Sequence, residues 1–270
     1  MSTPDSTSVP GIHPVVRLDS VRTGSHGPPV LLLHPVGLDG PIWTPLTTQL
    51  AKSYRVIAPS LRGHGRSPAF PPPWTVRELA ADVHALLQRH ADGPVHVVGL
   101  SLGGIVAQQL AVDHPTDVGS LVLIATRSGF DEMGRRVLLE RARQGQQGGM
   151  AAVAEDTMAR WFAPTNRHSP IAERVRQRLL ADDPRCWAAT WRAMAEFGTP
   201  DQLVRIQQPA LVLGGTGDAG TPPSVSTALA QALPNATLRI LPKAGHLAPL
   251  EQPQQYADII DAFLQRCTQP

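Results

Sequence analysis

Six short runs in this chain are apolar almost without interruption: Val30–His34, Arg55–Pro59, Val95–Leu100, Ser120–Ala125, Ala210–Gly214 and Thr237–Leu241. A strand with one wet face alternates apolar and polar residues, so unbroken runs rich in Val, Ile and Leu imply strands covered on both faces. Between them the apolar spacing becomes helical at 76–90, 103–113, 224–232 and 254–265, and Pro115 and Pro234 stop two of these segments. Strands that alternate with helices predict an α/β fold built on a mostly parallel, doubly wound sheet. A weaker pattern at Gly11–Thr23 could add an antiparallel edge, and residues 1–12 read as a flexible tail.

The interval 127–208 breaks the rhythm. It has no strand-like run, but it has helix-like stretches at 133–144, 149–160, 170–181 and 184–197, and three of the five tryptophans, Trp161, Trp187 and Trp191. The expected organisation is a core formed by 13–126 and 209–268, with a helical cap of 127–208 inserted between two late strands.

Charge and cysteine usage exclude several classes. Lys plus Arg is 24 against 22 for Asp plus Glu, and the most Arg-rich stretch, 135–192, interleaves its arginines with acids. That mixed surface offers no basic track for phosphates, so nucleic acid is not an expected partner. Cys186 and Cys267 have neither metal nor redox spacing, and no metal or organic cofactor is expected. Met1–Pro10 lacks the charged and apolar regions of a secretory leader, and no apolar run reaches the ~18 residues of a membrane span. A cytoplasmic location without membrane contact is the resulting expectation.

The strongest chemical signal is Gly99-Leu100-Ser101-Leu102-Gly103-Gly104, which directly follows one apolar run and directly precedes a helical one. G-x-S-x-G between a strand and a helix is a nucleophile elbow, a turn so tight that the serine is strained and projects above the sheet. The following helix also directs its N-terminal N–H groups toward that serine, which favours negative charge there.

A serine needs a base, and the base needs an orienting group. His246 follows the last apolar run, and Asp218 follows the run before it, which gives the chain order Ser, acid, His. The rivals are His34 and His64, which precede the serine, and Asp131 as an alternative acid. Gly215-Thr-Gly217-Asp-Ala-Gly220 imitates a dinucleotide motif, but Pro222 and Pro223 follow it and no acid stands about 20 positions on. Oxyanion donors are expected from the backbone N–H groups of Leu102 and Val36, because Pro35 has none to offer.

On these residues the chain resembles the α/β-hydrolase superfamily from Val15 to Phe263. Arg62-Gly-His-Gly-Arg-Ser67 is similar to the family's R-G-x-G-x-S turn, and Gly245-His246 matches its terminal pair. Within the superfamily it looks most like the 3-oxoadipate enol-lactonases, on Gly99–Gly104, Arg160-Trp-Phe162, Ile206-Gln-Gln-Pro209 and Asp218-Ala-Gly-Thr-Pro-Pro223. Two departures stand out: His34-Pro35 where the family commonly has His-Gly, and Ser60 where many members have Asp. The resemblance implies hydrolysis of a small ester or lactone by Ser101, His246 and Asp218, best guessed as an enol-lactone. The insert would act as a cap, with Trp161, Phe162 and Arg127 touching substrate and Arg160 a further candidate for a carboxylate clamp. The alternatives are a C–C bond hydrolase of vinylogous diketones, a general carboxylesterase, macrolactonase or perhydrolase, and a ligand receptor without turnover. A small pocket carrying an Arg would favour a carboxylated lactone; a long apolar one would favour a larger ester.

Overall fold

In the computed structural model, which describes residues 14–268, the chain builds one seven-stranded sheet in the order β1-β3-β2-β4-β5-β6-β7. The strands are β1 (Ser20–Thr23), β2 (Pro29–Leu33), β3 (Arg55–Pro59), β4 (Val95–Leu100), β5 (Val118–Ile124), β6 (Ala210–Gly215) and β7 (Ala236–Leu241). All neighbours pair in parallel except β1, whose Ser20–Thr23 runs antiparallel to β3 and forms one edge. The expected edge at Gly11–Thr23 is therefore met by its last four residues, and the expected tail at 1–12 lies outside the described residues.

The helices outside the insertion are α1 (Thr44–Leu50), α2 (Val76–His90), α3 (Leu102–Asp113), α7 (Pro223–Ala232), α8 (Ala248–Glu251) and α9 (Pro253–Thr268). Inside it lie α4 (Glu132–Trp161), α5 (Pro170–Leu180) and α6 (Pro184–Ala195). Every residue of β2, β4 and β6 is buried, as unbroken apolar runs require. β7 is different: it is an outer strand, and Thr237 and Arg239 face solvent between half-buried neighbours.

Local chemistry sets the helix starts. Thr75 Oγ1 accepts from Glu78 N–H while Glu78 accepts from Thr75 N–H, a reciprocal cap that fixes the first turn of α2. The Arg62–Ser67 turn is clamped onto α2, because the buried Arg62 donates from Nε and Nη2 to the two oxygens of the buried Asp82 at 2.7 and 2.9 Å. α1 was not expected. Pro45 occupies its first turn, and Pro41 the first turn of the short 3₁₀ helix Gly40–Trp43 before it, positions where a missing N–H does no harm.

The chain leaves the sheet after β5 and returns at β6. The two expected helices at 133–144 and 149–160 form one element, α4, which is broken at Gly149, where φ is +71°. The insertion's two legs meet at an isolated antiparallel bridge between Gly129 and Gly198, with Thr199 N–H donating to Ser128 O at 2.8 Å. This bridge closes the base of the insertion, which is also tied to the core by the Arg178–Asp39 pair and by Arg174 donating to Pro41 O.

Candidate active site

Three non-glycine residues among those described have positive φ, and all three lie just past the carboxyl end of a strand: Ser101 after β4, Ala125 after β5 and Lys243 after β7. Strain gathers where α/β sheets place their sites. Ser101 has φ 53° and ψ −112°, with its N–H bonded to Ile124 O and its carbonyl accepting from Thr126 Oγ1 at 2.8 Å. The glycines are steric necessities. A Cβ on Gly103 would lie 2.1 Å from Leu33 O, and one on Gly99 would lie 2.4 Å from Gly103 O. No side chain fits either place, so the turn holds the serine at the N-terminus of α3.

Across the site, His246 Nδ1 pairs with Asp218 Oδ2 at 2.8 Å, and both residues are buried. The other Asp218 oxygen accepts from the N–H groups of Gly220 and Thr221 at 2.8 and 2.9 Å, so the carboxylate cannot rotate freely. The two loops that carry these residues are tied together: Gly217 N–H donates to Ala244 O, and Lys243 N–H donates to Thr216 Oγ1. Ser101 and His246 border one cavity of about 280 Å³. Among the described residues no hydrogen bond yet joins Ser101 Oγ to His246.

The rivals are engaged elsewhere. Asp131 caps α4 by accepting from Gly134 N–H. His34 is fully buried; its Nε2 accepts from Leu61 N–H, which leaves Nδ1 to donate to Pro35 O. Burial first, and the neighbouring His64 second, hold His34 well below the usual histidine range, and burial depresses His64 to about 4. Both are neutral residues of the core.

The remaining expectations divide. Val36 borders the cavity, Leu102 directly follows the serine, and neither N–H donates to an acceptor among the described residues. Trp161 lines the cavity with its ring nearly parallel to His246, 18° apart and 6.4 Å between centroids. Phe162 does not line it. The chain turns extended at Phe162, the C-cap of α4, and the side chain is buried away from the cavity, which corrects the expectation of substrate contact. Arg127 lines the cavity with its guanidinium 4.9 Å from the Phe130 ring centroid, and one Nη donates to Gly220 O. Burial lowers its pKa while Asp218 and Asp131 raise it. Arg160 also reaches the cavity rim but donates to Asp156.

Sequence reasoning missed the inner face of α4. Gly134, Val137, Leu138 and Arg141 line the cavity at helical spacing, and Trp191 and Met194 of α6 face them. The signal was a stripe with period three to four, which reads the same whether it covers core or cavity. Arg141 is buried and fixed, with Nη groups on Asp156 and Thr157 and the guanidinium 4.9 Å from the Trp191 ring centroid.

A strained serine, a buried His–Asp pair and a shared cavity at the carboxyl edge of a parallel sheet define a hydrolase architecture. The model of the alpha/beta hydrolase family matches residues 30–259, and the chain belongs to that family. Among curated relatives, a pimeloyl-[acyl-carrier protein] methyl ester esterase of Chromobacterium violaceum is 32% identical over 252 residues, 91% of this chain and 97% of the relative. The 3-oxoadipate enol-lactonase 2 of Acinetobacter baylyi is 28% identical over 93% of this chain and 94% of its own. Among solved structures, a malate-bound thermophilic esterase from Thermogutta terrifontis has a TM-score of 0.88 at 32% identity over 97% of both chains. The chain is thus an enzyme of the carboxylic ester hydrolase class.

Proposed function

We propose that the chain is a serine hydrolase of small carboxylated esters or lactones, and that Ser101, His246 and Asp218 carry its chemistry. The observation that carries this reading is the fixed His246–Asp218 pair bordering the same cavity as the strained Ser101. Ser101 Oγ attacks the carbonyl carbon as its proton passes to Nε2 of His246, and Asp218 holds the imidazole by Nδ1 and stabilises its charge. The oxyanion lies between the free N–H groups of Val36 and Leu102 at the start of α3. His246 returns the proton to the leaving oxygen, then takes one from the water that cleaves the acyl-enzyme. For a lactone the leaving oxygen stays tethered to the acyl group, and an enol so released tautomerises to a ketone.

The substrate class rests on the cavity. Its volume lies at the small end for ligand pockets, its walls are largely apolar, and Arg127 has N–H groups with no protein acceptor among the described residues. A carboxylate is the group that such a guanidinium takes best. Residues 127–208 act as the cap that closes this volume.

Two measurements separate mechanism from substrate. Ser101→Ala should lower kcat by about 10³-fold or more and abolish covalent labelling by a fluorophosphonate, read by intact mass. Near-wild-type turnover in that variant would end the serine mechanism. Monoesters of dicarboxylic acids should be preferred over neutral esters of equal length. Arg127→Gln should cut that preference by about 10- to 100-fold, since a hydrogen bond to a charged group is worth about 1.5–3 kcal/mol. A wild type that prefers the neutral esters overturns the substrate class and leaves the mechanism standing.

A further inference from the structure

At the end of α3 away from Ser101, three potential ligands meet that come from two separate stretches of the sequence. His84 belongs to α2, His114 is the C-cap of α3, and Asp117 ends the short turn that leads into β5. Packing of α2 against α3 brings them together, so that one ligand atom from each lies within 4.8 Å of the others. His84 Nδ1 and Asp117 Oδ2 are 2.5 Å apart, and the two imidazoles stack with centroids 3.6 Å apart and planes 3° from parallel. All three residues are half-buried: they are held in place, yet open to ions on one side. Asp113 beside them is shared with Arg77 and Gln109.

We propose that His84, His114 and Asp117 form a divalent transition-metal site of the zinc type, which clips α2 to the connection between α3 and β5. Two imidazoles and one carboxylate are the donor set that suits Zn²⁺, and three protein ligands leave a fourth position for water. Stacked parallel rings cannot point in-plane lone pairs at one ion, so binding opens the rings from parallel and replaces the proton shared by His84 and Asp117. The His84 ring keeps that proton on Nε2 when Nδ1 takes the metal. The site touches none of the groups assigned to catalysis, so its role is to hold elements together. No metal-binding spacing shows in the chain, because the ligands stand at 84, 114 and 117 and only the last two are near neighbours.

The test is a calorimetric titration of chelator-treated, full-length protein with ZnCl₂, paralleled by Co²⁺ absorption spectra and thermal denaturation with and without Zn²⁺. The wild type should take up one equivalent saturably, show the intense visible bands of a low-coordinate Co²⁺ site, and melt higher with Zn²⁺. Even partners outside the ligand shell are worth about 10–100-fold in affinity, so His114→Ala and Asp117→Asn should each weaken uptake by more than about 10-fold. Both should retain metal-free esterase activity. Asp117→Asn carries the test if the alanine variant fails to fold. Absence of saturable uptake in the wild type, or uptake and melting shift unchanged in Asp117→Asn, overturns the site.

Discussion

Asp218→Asn tests the orienting role proposed for the carboxylate, and the structure fixes how the new amide must sit. The oxygen now at Oδ1 receives two backbone N–H groups, from Gly220 and Thr221. An amide NH₂ there would face two donors, so the amide oxygen must take that place. The NH₂ then faces His246 Nδ1, where Oδ2 now accepts. This drives the imidazole to the tautomer with its proton on Nε2, which cannot accept the Ser101 proton. A wrong tautomer in an established Ser-His-Asp triad lowers kcat by about 10⁴, and at 1.36 kcal/mol per decade that is about 5 kcal/mol of transition-state stabilisation. The fold should lose little, because both loop bonds persist with a neutral acceptor, at about 1–2 kcal/mol and about 2–4 °C in Tm per kcal/mol. The assay is kcat/KM on a nitrophenyl ester beside a thermal melt, with Asp131→Asn as the matched control. Asn caps a helix as well as Asp does, so the control should keep wild-type activity. If Asp218→Asn keeps more than about a tenth of its activity while Asp131→Asn loses it, the assignment of the acid is wrong.

Trp161→Ala should shift the preferred acyl size upward and alter discrimination by about 1–3 kcal/mol across an ester and lactone series, because the ring walls the cavity beside His246. A uniform fall for every substrate would instead make Trp161 a support for His246 alone. The buried histidines make folding stability fall with acid, against Asp182, whose carboxyl burial raises to about 7 and which therefore stabilises the fold as the pH drops below that. Burial holds His64 at about 4 and His34 well below the usual range, so the unfolded chain binds protons that the folded chain refuses. The histidine contribution is complete above about pH 6.5 and is lost as the pH falls toward 4, with His64 alone worth about 3 kcal/mol across that window. Relative to His64→Gln, the wild-type urea midpoint should drop between about pH 7 and 5; a constant difference between the two proteins would contradict this.

What was legible in the sequence follows from how each part is specified. Ser101, Asp218 and His246 each come just after an apolar run that becomes a strand, so ordering the strands brought the three residues to one edge of the sheet. The elbow was legible because sterics leave so little choice: Gly103 packs against Leu33 O, and only glycine tolerates that approach. The cap's inner surface was not legible, for a physical reason. Val137, Leu138 and Arg141 show the periodicity of a covered helix face, and periodicity cannot say whether the cover is protein or cavity. Trp161 and Phe162 are neighbours in sequence with similar chemistry, yet the change to extended backbone at Phe162 sends one ring to His246 and the other into the core. That division has a consequence for how such a chain changes. The strand ends fix Ser101, Asp218 and His246 through backbone contacts that few substitutions survive, whereas the cavity wall is set by side chains on α4 and α6 of the insertion. Substitutions on those two helices can therefore reshape the substrate volume while the positions of Ser101, His246 and Asp218 hold.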